Sequence, residues 1–463
     1  MSQITVLHAL RYDSRTTTSH HALCFGRYSK GHKIEYVNIF GLIPSDLDSD
    51  VVILTYDLLA LRRQPIWNLL VKRMGPILKQ SSYRIAMPQD DYSRCAVLDS
   101  FISKYKIGTV LTPITRDLQL LYPHSLAAGV HFEEAMTGYF DEDSWSSCWQ
   151  FAKPFMARTI DLGQRVWHLS PQFGIEAGRK AELAIKFSTQ AQSSGFVCDV
   201  STNPADVFIG DDWYKFLGNC KFTISRKGGA SIADPSDRIA NRFRRFQLRH
   251  PNATMDEMGQ KVSFRGGRQG DFSAISPRLF ECAALGVCQI LELGEYVEGL
   301  EPWTHYIPLE QNFSNIQQIF QVMRDIDRCE AIAEASQEPL LKNPKNTYSY
   351  LVDRVLLAGG AQSGPNESSI CSDSSNQLGQ DILDAETLMW VQSYVARAFL
   401  KRKNAQAIRS LSAGLLLKLD ATDKPWENWA QLNADTIIRW IEAFESRQLI
   451  VESLVVPWTV ARL

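Results

Sequence analysis

The sequence predicts an α/β protein built from two facing Rossmann-like domains, with a helical extension at its C-terminal end. Three observations predict it. Short apolar runs alternate with helical patterns from the first residues to about 355, which indicates parallel βαβ units. The alternation starts afresh after a tryptophan-rich amphipathic piece at 141–154. Past 358 it stops, and 359–380 is rich in Gly, Ser and Asn, as a linker or loop would be. The 463 residues suffice for two or three domains with sizeable cores. The expected division is 1–155, 156–358, a linker at 359–380 and a helical extension at 381–463.

In the first unit, 4–10 reads as a buried strand, followed by a polar loop at 11–19. A helix beginning near Thr18 or Ser19 carries His20, His21, Leu23, Phe25 and Tyr28. Strands are expected at 34–39 and 50–57, a long amphipathic helix at 62–80, and a strand at 84–87 that ends in Pro88-Gln89-Asp90-Asp91-Tyr92. A helix at 93–105, a strand at 109–112, a helix to about 127 and a strand at 129–132 complete the unit. The second unit opens with a strand at 164–169. A glycine-containing loop at 173–178 then leads into a helix from Arg179. Further strands are expected at 196–200, 222–225, 287–291 and 304–308. Two such units and no visible repeat place a ligand cleft between them. Beyond the linker, Leu388, Val391, Tyr394, Val395 and Phe399 recur at helical spacing.

Composition narrows the function. Hydrophobic residues make up 45% and charged residues 22%, ordinary for a globular protein. The net charge of −2 gives no sign of a nucleic-acid partner. Nine scattered cysteines without a C-x-x-C pair read as reduced, buried thiols in a cytoplasmic protein. The first residues run directly into a strand pattern, so no secretion signal is expected, and no run approaches the ~20 apolar residues of a membrane span. Neither a G-x-x-x-x-G-K-[ST] loop nor a G-x-G-x-x-G after the first strand is present, which disfavours ATPase and dinucleotide-enzyme readings.

The most informative stretch is 264–310. Pro277 suits a helix start and Gly286 a helix end. Leu279 and Ala283 share one face between them, and Arg278 and Glu281, three apart, share another. The apolar run Val287-Cys288-Gln289-Ile290-Leu291 follows. This is a crossover helix feeding a buried strand, with two charged side chains near a strand end, where open α/β sheets bind ligands.

The pattern R-x-F-E-x-x-A-x-G, an apolar strand, an acidic loop and then His305-Tyr306-Ile307-Pro308-Leu309 resembles the donor-binding half of GT-B glycosyltransferases. It is most similar to the bacterial CgeB-like, group 1 type. The resemblance covers about 1–355 and implies a metal-independent transfer from a nucleotide-diphosphate sugar to a hydroxyl of an acceptor such as a surface polysaccharide, a glycan or a lipid-linked sugar. It implies that Glu281 binds the ribose hydroxyls. The second glutamate of many retaining members, eight positions earlier, is here Ser273. The alternative is a GT-B-like binding or assembly module without catalysis; a sugar epimerase of the same architecture is a third.

Other candidates follow from local chemistry. Arg165, on the strand opening the second unit, and Lys180, on the helix after a glycine loop, suit a diphosphate at a helix N-terminus; the resemblance supports both. Arg179 fits as well on spacing, and a solvated helix start is the plain alternative. Gly228, Gly229 and Ser231, after a strand, can bring backbone N–H groups close to a phosphate or sugar, or form an ordinary turn. Asp90 is the candidate for acting on an acceptor hydroxyl, with helix capping as the alternative. His20 is a candidate base, or part of a surface pair. Asp46-Leu47-Asp48 matches a metal-binding D-x-D only superficially. The basic cluster Arg238, Arg242, Arg244, Arg245, Arg249 and His250, within 238–250, and the tail 381–463 are candidate surfaces for a membrane or protein contact.

Overall fold

The computed structural model describes residues 2–361, apart from 11–15, 41–42, 44–46, 65, 141–147, 168 and 209–210. Asp46, nearly all of the linker and the whole of the 381–463 extension lie outside the described residues.

The first unit holds six strands, β1 Gln3–His8, β2 Lys33–Asn38, β3 Val51–Leu54, β4 Tyr83–Ala86, β5 Thr109–Thr112 and β6 His131–Glu134. They form one parallel sheet in the order β2-β1-β3-β4-β5-β6. Helices cover both faces, so the central strands are apolar without alternation; all four residues of β3 are buried. The second unit holds β7 Ile160–Arg165, β8 Cys198–Ser201, β9 Cys220–Ser225, β12 Cys288–Glu292 and β13 Ile307–Leu309. These make a parallel sheet in the order β13-β12-β9-β7-β8. In each sheet the order reverses beside the unit's first strand, β1 or β7, and ligands bind at the carboxyl ends of such strands. These are the two Rossmann-like parallel sheets that the sequence predicts.

Several elements depart from expectation. β7 begins at Ile160, not 164. The helix expected from Arg179 is Ile175–Ser193. Only Gly174 takes a positive φ, 88°, and it stands immediately before the helix, while Gly178 continues inside it. The turn expected at 228–231 is a strand, β10 Gly228–Ala233, paired antiparallel with β11 Arg268–Ala274. Helix Tyr348–Ala358, assigned by sequence to the second unit, returns to the first sheet, where Leu351, Val352 and Val355 pack with Ile4, Val6 and Phe25.

The β10–β11 pair leaves the second sheet and docks on the first. Ala230, Ala233 and Phe272 join the core under the first sheet, and the Asp234 N–H donates to the Tyr92 carbonyl at 2.8 Å. What receives it is the 89–93 loop, which Arg62 holds. This fully buried guanidinium donates to the carbonyls of Leu59 and Ser93 at 3.0 Å, of Gln89 at 3.3 Å and of Asp90 at 2.6 Å. Beside it, buried Asp91 accepts from Tyr122 at 2.5 Å and from Thr112. Burial pushes the Asp91 carboxyl up, opposed by those hydrogen bonds and the Arg62 charge.

Arg62→Met would remove one hydrogen-bond donor from each of four carbonyls and the compensating cation from Asp91. We expect a loss of about 3–5 kcal/mol of unfolding free energy in urea denaturation; an unchanged midpoint would show that the loop holds itself.

Candidate functional site

Between the carboxyl ends of the two sheets lies a cavity of about 450 Å3. Asp90, Arg165, Lys180, Gly228, Gly229, Arg278 and Glu281, all singled out from sequence, line it, together with Trp213 and Tyr92.

The second-unit wall is built by helix Arg278–Ala284, with Pro277 as its N-cap and Gly286 beyond its end at φ 62°. Glu281 is buried, and its Oε2 accepts from the Trp213 indole Nε1 at 2.8 Å. The Arg278 guanidinium lies 4.8 Å from the Trp213 ring, within cation–π range. It donates to the Arg165 carbonyl at 2.9 Å and to Gln164 Oε1. Trp213 thus fixes Glu281 by its edge and carries Arg278 on its face. Lys180, in the second turn of Ile175–Ser193, makes no hydrogen bond or ion pair among the described residues. Burial, then the neighbouring Arg278 and Arg226, push its ammonium down to about 7. A lysine among arginines, in no ion pair among the described residues and near a helix N-terminal end, suits an anion.

The glycines act by what they lack. Gly229 has φ 130°, and a β-carbon there would collide with the Phe272 carbonyl oxygen. At Gly228 a side chain would enter open space. The backbone therefore approaches the cavity bare on this side.

Across the cleft, Asp90 and Asp91 separate. Asp90 takes φ 52° and faces the cavity; its Oδ1 accepts from the Tyr92 hydroxyl at 2.8 Å and its Oδ2 lies 3.2 Å from Arg63. Asp91 is sealed behind the loop.

Three of the expected residues have other surroundings. Arg165 borders the cavity, but its guanidinium serves the fold. It donates to the carbonyls of Asp206, Gln164 and Asp199 at 3.1, 3.1 and 2.9 Å, pairs with the Asp199 carboxylate at 2.8 Å, and lies 4.3 Å from the Phe216 ring. Ser231 does not line this cavity. The β10 register shifts between Ala230 and Ile232, and the Ser231 hydroxyl sits over Gly174, where a β-carbon would meet it. His20, in helix Thr16–Tyr28, does not line this cavity either. Its neighbour His21 is buried edge-on to Tyr56 at 5.3 Å, and burial drives its pKa down to about 4.

A second cavity of about 590 Å3 lies on the other side of Gly228 and Gly229. It holds a network that sequence reading missed. Arg226 reaches Glu176 at 2.6 Å and Glu292 at 2.9 Å, and Arg179 reaches Glu176 at 2.9 Å. Burial pushes Glu176 up, but the two arginines outweigh it and hold the carboxyl low. Arg179 is thereby engaged and does not enter the first cavity. The available signals were the i, i+3 pair Glu176–Arg179 and an acid at the end of the apolar 287–291 run. Ser273 lines this second cavity, opposite Gly229 in the β10–β11 register.

No protein-family model matches this chain, and no curated protein matches it. Among solved structures, Anabaena HepE in complex with UDP-glucose aligns at 10% identity over 77% of this chain and 100% of its own, with a TM-score of 0.38. A glycosyltransferase from Rickettsia africae aligns at 10% identity over 77% and 97%, TM-score 0.37. Sucrose-phosphate synthase from Thermosynechococcus elongatus aligns at 8% identity over 77% and 97%, TM-score 0.39. At such scores the chemistry of this chain rests on its own cavity.

Arg165→Ala removes the fork that ties β7 to β8. The expected result is a loss of about 2 kcal/mol of stability in urea denaturation; unchanged stability would return this guanidinium to the list of ligand-binding groups.

Proposed function

We propose that the chain transfers a sugar from a nucleotide-diphosphate sugar to an acceptor hydroxyl, on a glycan or a lipid-linked sugar, by the chemistry of a GT-B glycosyltransferase of the CgeB-like type. The observation that carries this reading is the convergence of Glu281, Arg278, Lys180 and the bare Gly228–Gly229 backbone on one cavity, with Asp90 opposite. A buried carboxylate oriented by an indole N–H suits two vicinal hydroxyls, as on a ribose. Lys180 and Arg278 suit a diphosphate, and their positive charge would stabilise the nucleotide diphosphate as it leaves. Asp90, steadied by Tyr92 and Arg63, is the group placed to orient the acceptor hydroxyl or take its proton. With Arg165 engaged elsewhere, Arg278 takes the arginine's part in this scheme. Ser273 in place of a second glutamate is what favours the second reading, a GT-B-like module that binds without transferring.

Calorimetric titration with UDP, GDP, CDP, ADP and TDP and their common sugars tests the donor site. Selective binding by the wild type is expected, weakened at least about tenfold in Glu281→Ala with the fold retained. A well-folded protein that binds none of them overturns the reading, and binding without transfer or hydrolysis moves it to the module.

Lys180 adds a pH signature. Its pKa is lowered to about 7 in the free protein, and an anion favours the charged form. Below that pH the ammonium is already charged; above it, binding must take up a proton. Wild-type affinity for the diphosphate should therefore fall relative to Lys180→Met as pH rises from about 6.5 to about 8.5. Equal pH profiles for the two proteins would remove Lys180 from the diphosphate site.

A further inference from the structure

The excursion between β10 and β11 builds a small lobe. Helices Arg238–Arg249 and Met255–Lys261 enclose Ile239, Phe243, Met258 and Val262, with Phe246 and Phe264 packed alongside. The first of these helices carries five arginines and no acidic residue. With Ile239, Phe243 and Phe246 turned inward, helical spacing places Leu248 on the opposite side, and it is 73% exposed. Arg244 and Arg245 flank it on that outer face, both exposed, with Arg238 and Arg249 beside them.

Among the described residues these charges find few partners. Arg238, Arg245 and Arg249 make no hydrogen bond or ion pair among the described residues. Arg244 reaches only Asn241 Oδ1, at 3.3 Å. Arg242 is turned to the Arg265 carbonyl. Over 237–268 there are eight cationic and three anionic side chains, in a chain of net charge −2. Two of those anions are engaged locally, Asp237 with Arg94 at 3.2 Å and Glu257 in the capping box of its own helix.

A polyanion would use the arginines and have no use for the leucine. A leucine at the outermost point of the helix, between arginines whose stems are apolar and whose heads are charged, can enter the apolar edge of a lipid surface while those heads meet anionic headgroups. We propose that helix Arg238–Arg249 docks the protein on an anionic lipid surface, with Leu248 inserted among the acyl chains and the arginines at the headgroups. The lobe adjoins the cleft. The Pro171–Phe173 turn packs on both lobe helices. Just before it in the chain, Trp167 and Leu169, 42% and 37% exposed, border the cavity. Docking would bring that apolar border towards the membrane, where a lipid-linked acceptor resides. The docking itself stands independently of the donor chemistry.

The test is co-sedimentation of the full chain with vesicles of phosphatidylcholine alone and of phosphatidylcholine containing about one third phosphatidylglycerol. Pelleting with the anionic vesicles only, weakened by salt, is expected. Arg245→Glu with Arg249→Glu should lower the partition at least about tenfold, and Leu248→Ser about tenfold, with unchanged thermal melting in each. Equal pelleting with neutral vesicles, none with either, or undiminished binding by both variants would overturn the proposal. So would loss with the charge variant but not with Leu248→Ser, if a single-stranded oligonucleotide binds equally well; that pattern marks a polyanion site.

Discussion

The placement of the site depends on one buried guanidinium. Arg62 has no solvent to satisfy it, so the 89–93 loop curls its carbonyls around it. That curl turns Asp90 outward at positive φ and Asp91 inward. It also presents the Tyr92 carbonyl to Asp234, which seats the β10–β11 pair on the first sheet. Gly228 and Gly229 begin that pair, so the bare side of the cavity inherits its position from an arginine in the other half of the molecule.

The cleft divides its charges by use. In the second cavity the three arginines have acids: Arg226 with Glu176 and Glu292, Arg179 with Glu176, Arg116 with Asp271 and Glu295. In the first, Arg278 rests on an aromatic face and carbonyl groups, and Lys180 makes no ion pair among the described residues. Paired charges add rigidity and attract little; an uncompensated ammonium with a lowered pKa is held in readiness for an external anion. This contrast separates the two neighbouring cavities although they share the same two glycines.

Much of this was legible in the sequence where the information is local. The alternation of apolar runs and helices gave both parallel sheets, and the helix around Arg278 and Glu281 showed in its spacing and in the glycine that ends it. What escaped depended on distant partners. Which of Arg165 and Arg278 serves the cavity turns on Asp199 and Phe216, far away in the chain. A single shifted register in β10 carried Ser231 away from its expected neighbours. The fate of Asp90 and Asp91 was settled by Thr112 and Tyr122, whose contribution no local pattern announces. The sequence places 348–358 in the second unit, and the apolar stripe of helix Tyr348–Ala358 does not say which of two sheets it will cover.

The return of that helix has a mechanical consequence. The chain crosses between the sheets once after β6 and again before Tyr348, and the β10–β11 pair adds a third attachment where it leans on the first core. Two crossings near one edge would act as a hinge; a third attachment beside the cleft acts as a strut. Rocking of the halves about the hinge would have to break the Asp234–Tyr92 and Ala96–Pro235 bonds. Trp167, Leu169 and Phe208, all partly exposed, border the cavity beside which this strut stands.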